Sequence, residues 1–178
     1  MSTMTAVALD PDRLYEIVDG RPEEKEIPGA QHGGICARLT IKLGMYLTAN
    51  QLGELYVETS FQIGANERIP DLAFVAAARM PPEGEPASKW PIPPDLAVEV
   101  ISPNDLYEKV FAKVMEYLAA GIKQVWLVSP EHHVVTIYRS ATPITACSGD
   151  CDLMSEDLLP GFHCSLREIF TAPVHTTP

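Results

Sequence analysis

Asp95-Leu96-Ala97-Val98-Glu99-Val100-Ile101, closed by Ser102-Pro103, is the stretch on which the fold turns. Its β-branched and aliphatic residues read as a buried strand, and the Ser-Pro pair stops it. Asn104 or Asp105 can cap a helix that runs to about Ala120, with Leu106, Val110, Val114, Tyr117 and Leu118 as its apolar stripe and Gly121 as its C-terminal cap. Gln124-Val125-Trp126-Leu127-Val128 follows as a second strand. A strand, a helical crossover and a further strand pair in parallel, with a right-handed connection.

Upstream, residues 14–21 read as a short strand ending in an Asp19-Gly20 turn, and a second strand includes Glu26 and Ile27. From His32 to Gln51 the apolar residues Ile35, Leu39, Leu43, Tyr46 and Leu47 recur at helical spacing, with Gly53 as the expected stop. Residues 55–63 read as one strand and residues 69–75 as the next, and a proline-rich loop covers residues 80–94. Downstream, Glu131-His132-His133 marks a turn into a strand over residues 134–139. Weaker β signals near residues 144–146 and 158–162 precede a short helix over residues 166–170. The expected architecture is α/β (α+β): a mixed β-sheet flanked by helices, with extra β-hairpins at the termini. We expect one domain over residues 1–178, with a core of about 14–170 and flexible ends at 1–12 and 172–178.

No apolar run reaches the ~20 residues of a membrane helix, and the N-terminus does not read as a signal peptide. Both favour the cytoplasm. Four cysteines in such a chain argue against a disulfide framework. A net charge of −11 with only 13 Lys and Arg argues against tight non-specific duplex binding. A local basic strip or a bound cation would offset that balance at a site.

Side chains alternate across a strand. Asp71 therefore shares its face with Ile69, Ala73 and Val75, and Glu99 shares its face with Asp95, Ala97 and Ile101. Two acids interrupting apolar faces cost several kcal/mol unless paired or metal-bound. A hard cation such as Mg²⁺ answers both burial and mutual repulsion. Single acids are mostly exposed, so either one alone could be a solvent-facing residue, or Glu99 could pair with Arg68 or Lys113. Lys113 borders the helix stripe, where its stem can lie on the core while its ammonium reaches the top of the sheet.

These marks together resemble the bacterial family described as putative restriction endonucleases, a branch of the PD-(D/E)XK nuclease superfamily. The resembling segments are residues 15–20 (Tyr-Glu-Ile-Val-Asp-Gly), His32 opening a helix, and residues 68–75 (Arg-Ile-Pro-Asp-Leu-Ala-Phe-Val). Residues 96–103, Lys113 with Tyr117 and Gly121, residues 125–128 and residues 158–162 (Leu-Leu-Pro-Gly-Phe) complete the set. The resemblance spans about residues 15–170.

The resemblance implies a restriction-endonuclease-like core, with Asp71 and Glu99 as ligands of Mg²⁺ or Mn²⁺ and phosphodiester hydrolysis in nucleic acid, DNA first, as the reaction. Ile101 stands where the superfamily carries its lysine, and Lys113 from the following helix matches the replacement used in this branch. Ser129-Pro130 departs from the Asp-Pro of many relatives. Glu16 matches a position near the cleft and joins the expected catalytic set of Asp71, Glu99 and Lys113. The resemblance and the open sheet edges allow a homodimer.

Two other readings compete. One is a catalytically inactive nuclease fold used for binding or assembly. The other is a zinc site built from Cys147, Cys151, His163 and Cys164, whose spacing matches common tetrahedral sets poorly. His132 and His133 read as turn residues, and His32 as a helix-start or core histidine.

Overall fold

Asp19 and Gly20 both adopt positive φ, 50° and 72°, the geometry of a type I′ hairpin turn. In this computed structural model, which describes residues 10, 12–140 and 143–172, the turn joins β1 (Tyr15–Val18) to β2 (Arg21–Glu24). The strand expected around Glu26 thus ends earlier. The flexible ends expected at 1–12 and 172–178 fall, apart from Asp10, Asp12 and Ala172, outside the described residues.

Helix α1 (Ala30–Asn50) buries Ile35, Leu39, Leu43 and Leu47, the stripe that its period requires. It ends on Gln51 in the left-handed region, at φ 52°. Gly53, the expected stop, instead opens β3 (Gly53–Val57). A Cβ there would lie 2.1 Å from the Val75 carbonyl oxygen, so only glycine lets the two strands approach.

The single strand expected over residues 55–63 is two. β3 is followed by Glu58 at φ 44°, and the chain then enters β4 (Phe61–Ile63), which pairs with β5 (Asn66–Arg68). A bend of that kind moves the chain from one sheet to another. β4, β5, β1 and β2 form a four-stranded sheet, in the order β2-β1-β5-β4.

The main sheet is built from β3, β6 (Leu72–Ala76), β7 (Leu96–Val100), β8 (Gln124–Ser129), β9 (Val134–Arg139) and β10 (Thr145–Ser148). Its order is β10-β9-β8-β7-β6-β3. Only β7 and β8 are parallel, joined by α2 (Tyr107–Ala119) as the crossover. Asp105 does not cap α2; Leu106 occupies the N-cap, and the Asp105 carboxylate accepts from the Ser102 N–H at 2.7 Å. At the other end Gly121, at φ 91°, donates to the Leu118 carbonyl, and Ile122 donates to the Tyr117 carbonyl, a Schellman closure.

Alternation along β6 and β7 splits the core. Leu72, Phe74, Leu96 and Val98 pack with α1, while Ala73, Val75 and Ala97 pack with Val114 and Tyr117 of α2. Leu39 and Leu43 are fully buried, and truncating either to alanine costs about 2–5 kcal/mol. β11 (Asp152–Ser155) and β12 (Leu159–Ser165) form the C-terminal hairpin, followed by α3 (Leu166–Phe170). The mixed sheet, flanking helices and terminal hairpins are those expected from the sequence. Among the described residues no helix is long and apolar enough to cross a membrane.

The cysteine expectation is corrected. Cys147 and Cys151 form a disulfide across the turn from β10 to β11. A loop this short removes little chain entropy, so its effect is local. The bond also takes two thiols out of the alternative zinc set. Cys164 is buried and His163 exposed on β12, so alternation turns the other two ligands to opposite faces.

Candidate active site

The antiparallel register of β6 and β7 pairs Leu72 with Val98 and Ala73 with Ala97. One step further along that register sets Asp71 opposite Glu99, at the end of the sheet where β6 begins. Asp71 therefore precedes the regular strand rather than sitting within it. Its side chain is 3% exposed and Glu99's is 15% exposed, so both carboxylates need compensation.

Asp71 finds three donors. Lys25 donates to Oδ1 at 2.9 Å, the Val100 N–H donates to Oδ2 at 2.7 Å, and His32 Nε2 lies 3.0 Å from Oδ2. Burial works against the charge of Asp71, but His32, Lys25 and the Val100 N–H outweigh it and hold the carboxyl well below the usual range. The same hydrogen bond to Asp71 pushes His32 up to about 10, so the ring is an imidazolium at neutral pH.

Glu99 is compensated from α2. Tyr117 donates its hydroxyl to Oε1 at 2.7 Å, and Lys113 Nζ lies 2.9 Å from the same oxygen. Burial, with Asp71 and Glu16 nearby, still raises its pKa against the pull of Lys113 and Lys25. Lys113 also donates to Glu16 Oε1 at 2.9 Å. Burial disfavours its charge, but Glu99 and Glu16 overcome it and raise the pKa, so the ammonium is permanent in the physiological range.

Glu16 is locked by two further bonds. The Ile69 N–H donates to Oε1 at 2.9 Å, and Arg68 Nη1 donates to Oε2 at 3.0 Å. Arg68 Nε meets both oxygens of Glu116 on α2 at 3.1 Å, which ties the small sheet to the crossover helix.

Of the four residues singled out in the sequence, Glu99, Lys113 and Glu16 thus form one charge network, completed by Tyr117 and Arg68. Asp71 forms a second cluster with Lys25 and His32, and Asp71 and Glu99 line one cavity. Tyr117 stood out in the sequence as part of the helix stripe and the family pattern, His32 as a helix-start or core histidine and a mark of that pattern, and Lys25 carried no signal of its own. Glu99 and Lys113 line two adjoining cavities. One, of about 340 Å³, includes Glu16, Arg68 and Ile101; the other, of about 280 Å³, includes Asp71, His32 and Lys25. Lys109 is exposed and lines both.

Asp71 and Glu99 suit a hard divalent cation, since both offer carboxylate oxygens on one cavity. Glu99 Oε2 makes no hydrogen bond among the described residues, and Asp71 Oδ1 accepts from Lys25 alone, whereas Oδ2 is already taken by the Val100 N–H and His32. The ammonium of Lys25 already occupies a cation's place on Oδ1 and also donates to the Ile69 carbonyl at 3.0 Å. The donor set fits Mg²⁺ or Mn²⁺, on the condition that Lys25 shares or yields that oxygen.

Comparisons with known proteins agree with this architecture. The model of the Uma2 family, described as "Putative restriction endonuclease", matches residues 3–167. The chain is similar in fold to the crystal structure of a "putative nuclease belonging to DUF820" from Anabaena variabilis ATCC 29413, with a TM-score of 0.82 and 20% identity over 92% of this chain and 93% of that one. No curated protein sequence matches the chain.

Proposed function

The chain belongs to the Uma2 family of "Putative restriction endonuclease" proteins, and from that premise we propose that it is a divalent-metal-dependent endonuclease hydrolysing phosphodiester bonds in DNA. The observation that carries the reading is the register that sets Asp71 across from Glu99, with the Lys113 ammonium 2.9 Å from Glu99.

Asp71 and Glu99 would hold Mg²⁺ or Mn²⁺. Such an ion lowers the pKa of a bound water and offsets charge on the phosphoryl group. Lys113 is not the base, because Glu99 and Glu16 keep it charged. It orients the attacking water and donates to the phosphoryl oxygens as negative charge develops there. Glu16 fixes the Lys113 ammonium, and Arg68 fixes Glu16. Tyr117 holds Glu99, and the His32 imidazolium holds Asp71. Lys109 at the rim supplies a positive charge to the incoming backbone, which matters in a chain of net charge −11.

Plasmid nicking with Mg²⁺ or Mn²⁺ tests this directly. Cleavage by the parent, lost on chelation and in Asp71→Asn and Glu99→Gln, is the expected result. Equal cleavage by parent and Glu99→Gln removes the mechanism. Absence of cleavage in both favours the binding or assembly reading, which the acidic balance supports.

A further inference from the structure

The face of α1 nearest Asp71 carries a donor set that a hard cation does not use. His32 and Cys36 stand four residues apart on that helix, one above the other. Cys36 Sγ lies 3.6 Å from His32 Nδ1, and His32 Nε2 lies 3.0 Å from Asp71 Oδ2. One donor atom from each of the three residues falls within 4.8 Å of the other two. His32 and Cys36 are half-buried and Asp71 is buried, so the three atoms are screened from bulk water.

An imidazole nitrogen, a thiolate and a carboxylate oxygen form a mixed set that suits zinc, whereas magnesium takes oxygen donors. Zn–N distances of about 2.0–2.1 Å and Zn–S of about 2.3 Å set the edges of a ligand tetrahedron at roughly 3.3–3.6 Å. The two contacts on His32 use different ring nitrogens, Nδ1 and Nε2, so only one of them becomes such an edge, and the third donor starts within 4.8 Å of the other two. Binding therefore requires the His32 ring to turn one nitrogen onto the ion and the Cys36 side chain to follow it, both from the same helix. Three protein ligands leave a fourth position for water, and His32 and Asp71 both border the cavity of about 280 Å³.

We propose that His32, Cys36 and Asp71 form a zinc site. Zinc entry releases the Cys36 thiol proton and the proton shared by His32 and Asp71 to solvent, leaving thiolate, neutral imidazole and carboxylate as ligands. Asp71 belongs to both donor sets, so zinc here withdraws it from Glu99 and antagonises the hard cation. That antagonism rests on the nuclease reading; the site itself does not.

Cobalt titration of the full chain without reductant, which leaves the Cys147–Cys151 bond closed, is the test. A thiolate-to-cobalt charge-transfer band and tetrahedral d–d bands, saturating at stoichiometric metal and bleached by zinc, are expected. Cys36→Ser removes the charge-transfer band, His32→Gln weakens binding by about tenfold or more, and Cys164→Ser leaves the spectrum unchanged. A parent without the thiolate band, or a band that survives Cys36→Ser, overturns the site. Should Cys36→Ser fold poorly, undiminished cobalt affinity in His32→Gln overturns it equally. Manganese-dependent cleavage with no cobalt–thiolate band sinks the zinc site alone. A band without any cleavage keeps the site and sinks the nuclease reading.

Discussion

Lys113 of α2 and Glu99 of β7 meet at 2.9 Å, and the same ammonium is shared with Glu16 of β1. One lysine thus pairs with two acids from two different sheets. Replacing it by methionine leaves Glu99 without a paired cation and Glu16 with Arg68 alone. For a fully buried pair such a loss costs 3–5 kcal/mol; with these side chains 11–19% exposed, about 2–4 kcal/mol is expected. The melting temperature should fall by about 2–4 °C per kcal/mol, measured calorimetrically, and cleavage should fall by roughly 10²-fold or more.

If the charge matters more than the helix that supplies it, its origin can be moved. Ile101 borders the same cavity as Lys113. In the Lys113→Met background, Ile101→Lys should recover part of the lost cleavage at unchanged metal concentration. A double variant no more active than Lys113→Met would show that the α2 geometry itself is required.

Glu99 behaves differently from Lys113. Burial and the neighbouring acids raise its folded-state pKa, so its ionisation at neutral pH detracts from stability. Glu99→Gln keeps the shape and removes that charge. Its melting temperature should equal or exceed the parent's at pH ~7 while cleavage disappears. A clear drop in melting temperature would contradict the sign of this linkage.

Lys25 and a divalent ion compete for Asp71 Oδ1, where the ammonium sits at 2.9 Å. Lys25→Met should therefore tighten Mn²⁺ binding, by about tenfold if the displaced contact is worth ~1.4 kcal/mol. Isothermal titration calorimetry reads this directly. Equal or weaker affinity in the variant would mean that Lys25 does not bar the ion.

The His32–Asp71 pair carries a pH signature. His32 is raised from 6.5 to about 10, so its contribution is complete below about 6.5 and is lost as pH rises through about 10. Asp71 is lowered, so its contribution is present above the ordinary carboxylate range and is lost on strong acidification. The melting-temperature gap between the parent and His32→Gln should be widest near pH ~6 and close towards pH ~10. A gap independent of pH would assign the effect to packing rather than to the ion pair.

What the sequence determined alone was local or periodic. The stripe Ile35, Leu39, Leu43 and Leu47 specified α1, Asp19-Gly20 specified the hairpin, and a strand, helix and strand over residues 96–128 specified the parallel crossover. The acids were also legible, because Asp71 and Glu99 interrupt apolar runs and match a family pattern. The tertiary structure decided their partners. Lys25, His32 and Tyr117 reach those acids from a hairpin and two helices, and nothing in their own neighbourhoods announces the contact. It also decided where the strand over residues 55–63 breaks, since Glu58, at positive φ, lies between a strand of the main sheet and a strand of the smaller one. Lys113 and Glu99 show the difference: the sequence marks Glu99 as a charge that needs compensation, but only the closure of α2 over β7 and β1 brings Lys113 to it. Periodicity is set by the backbone and can be read one residue at a time; charge compensation is set by distances that exist only once the sheets have closed.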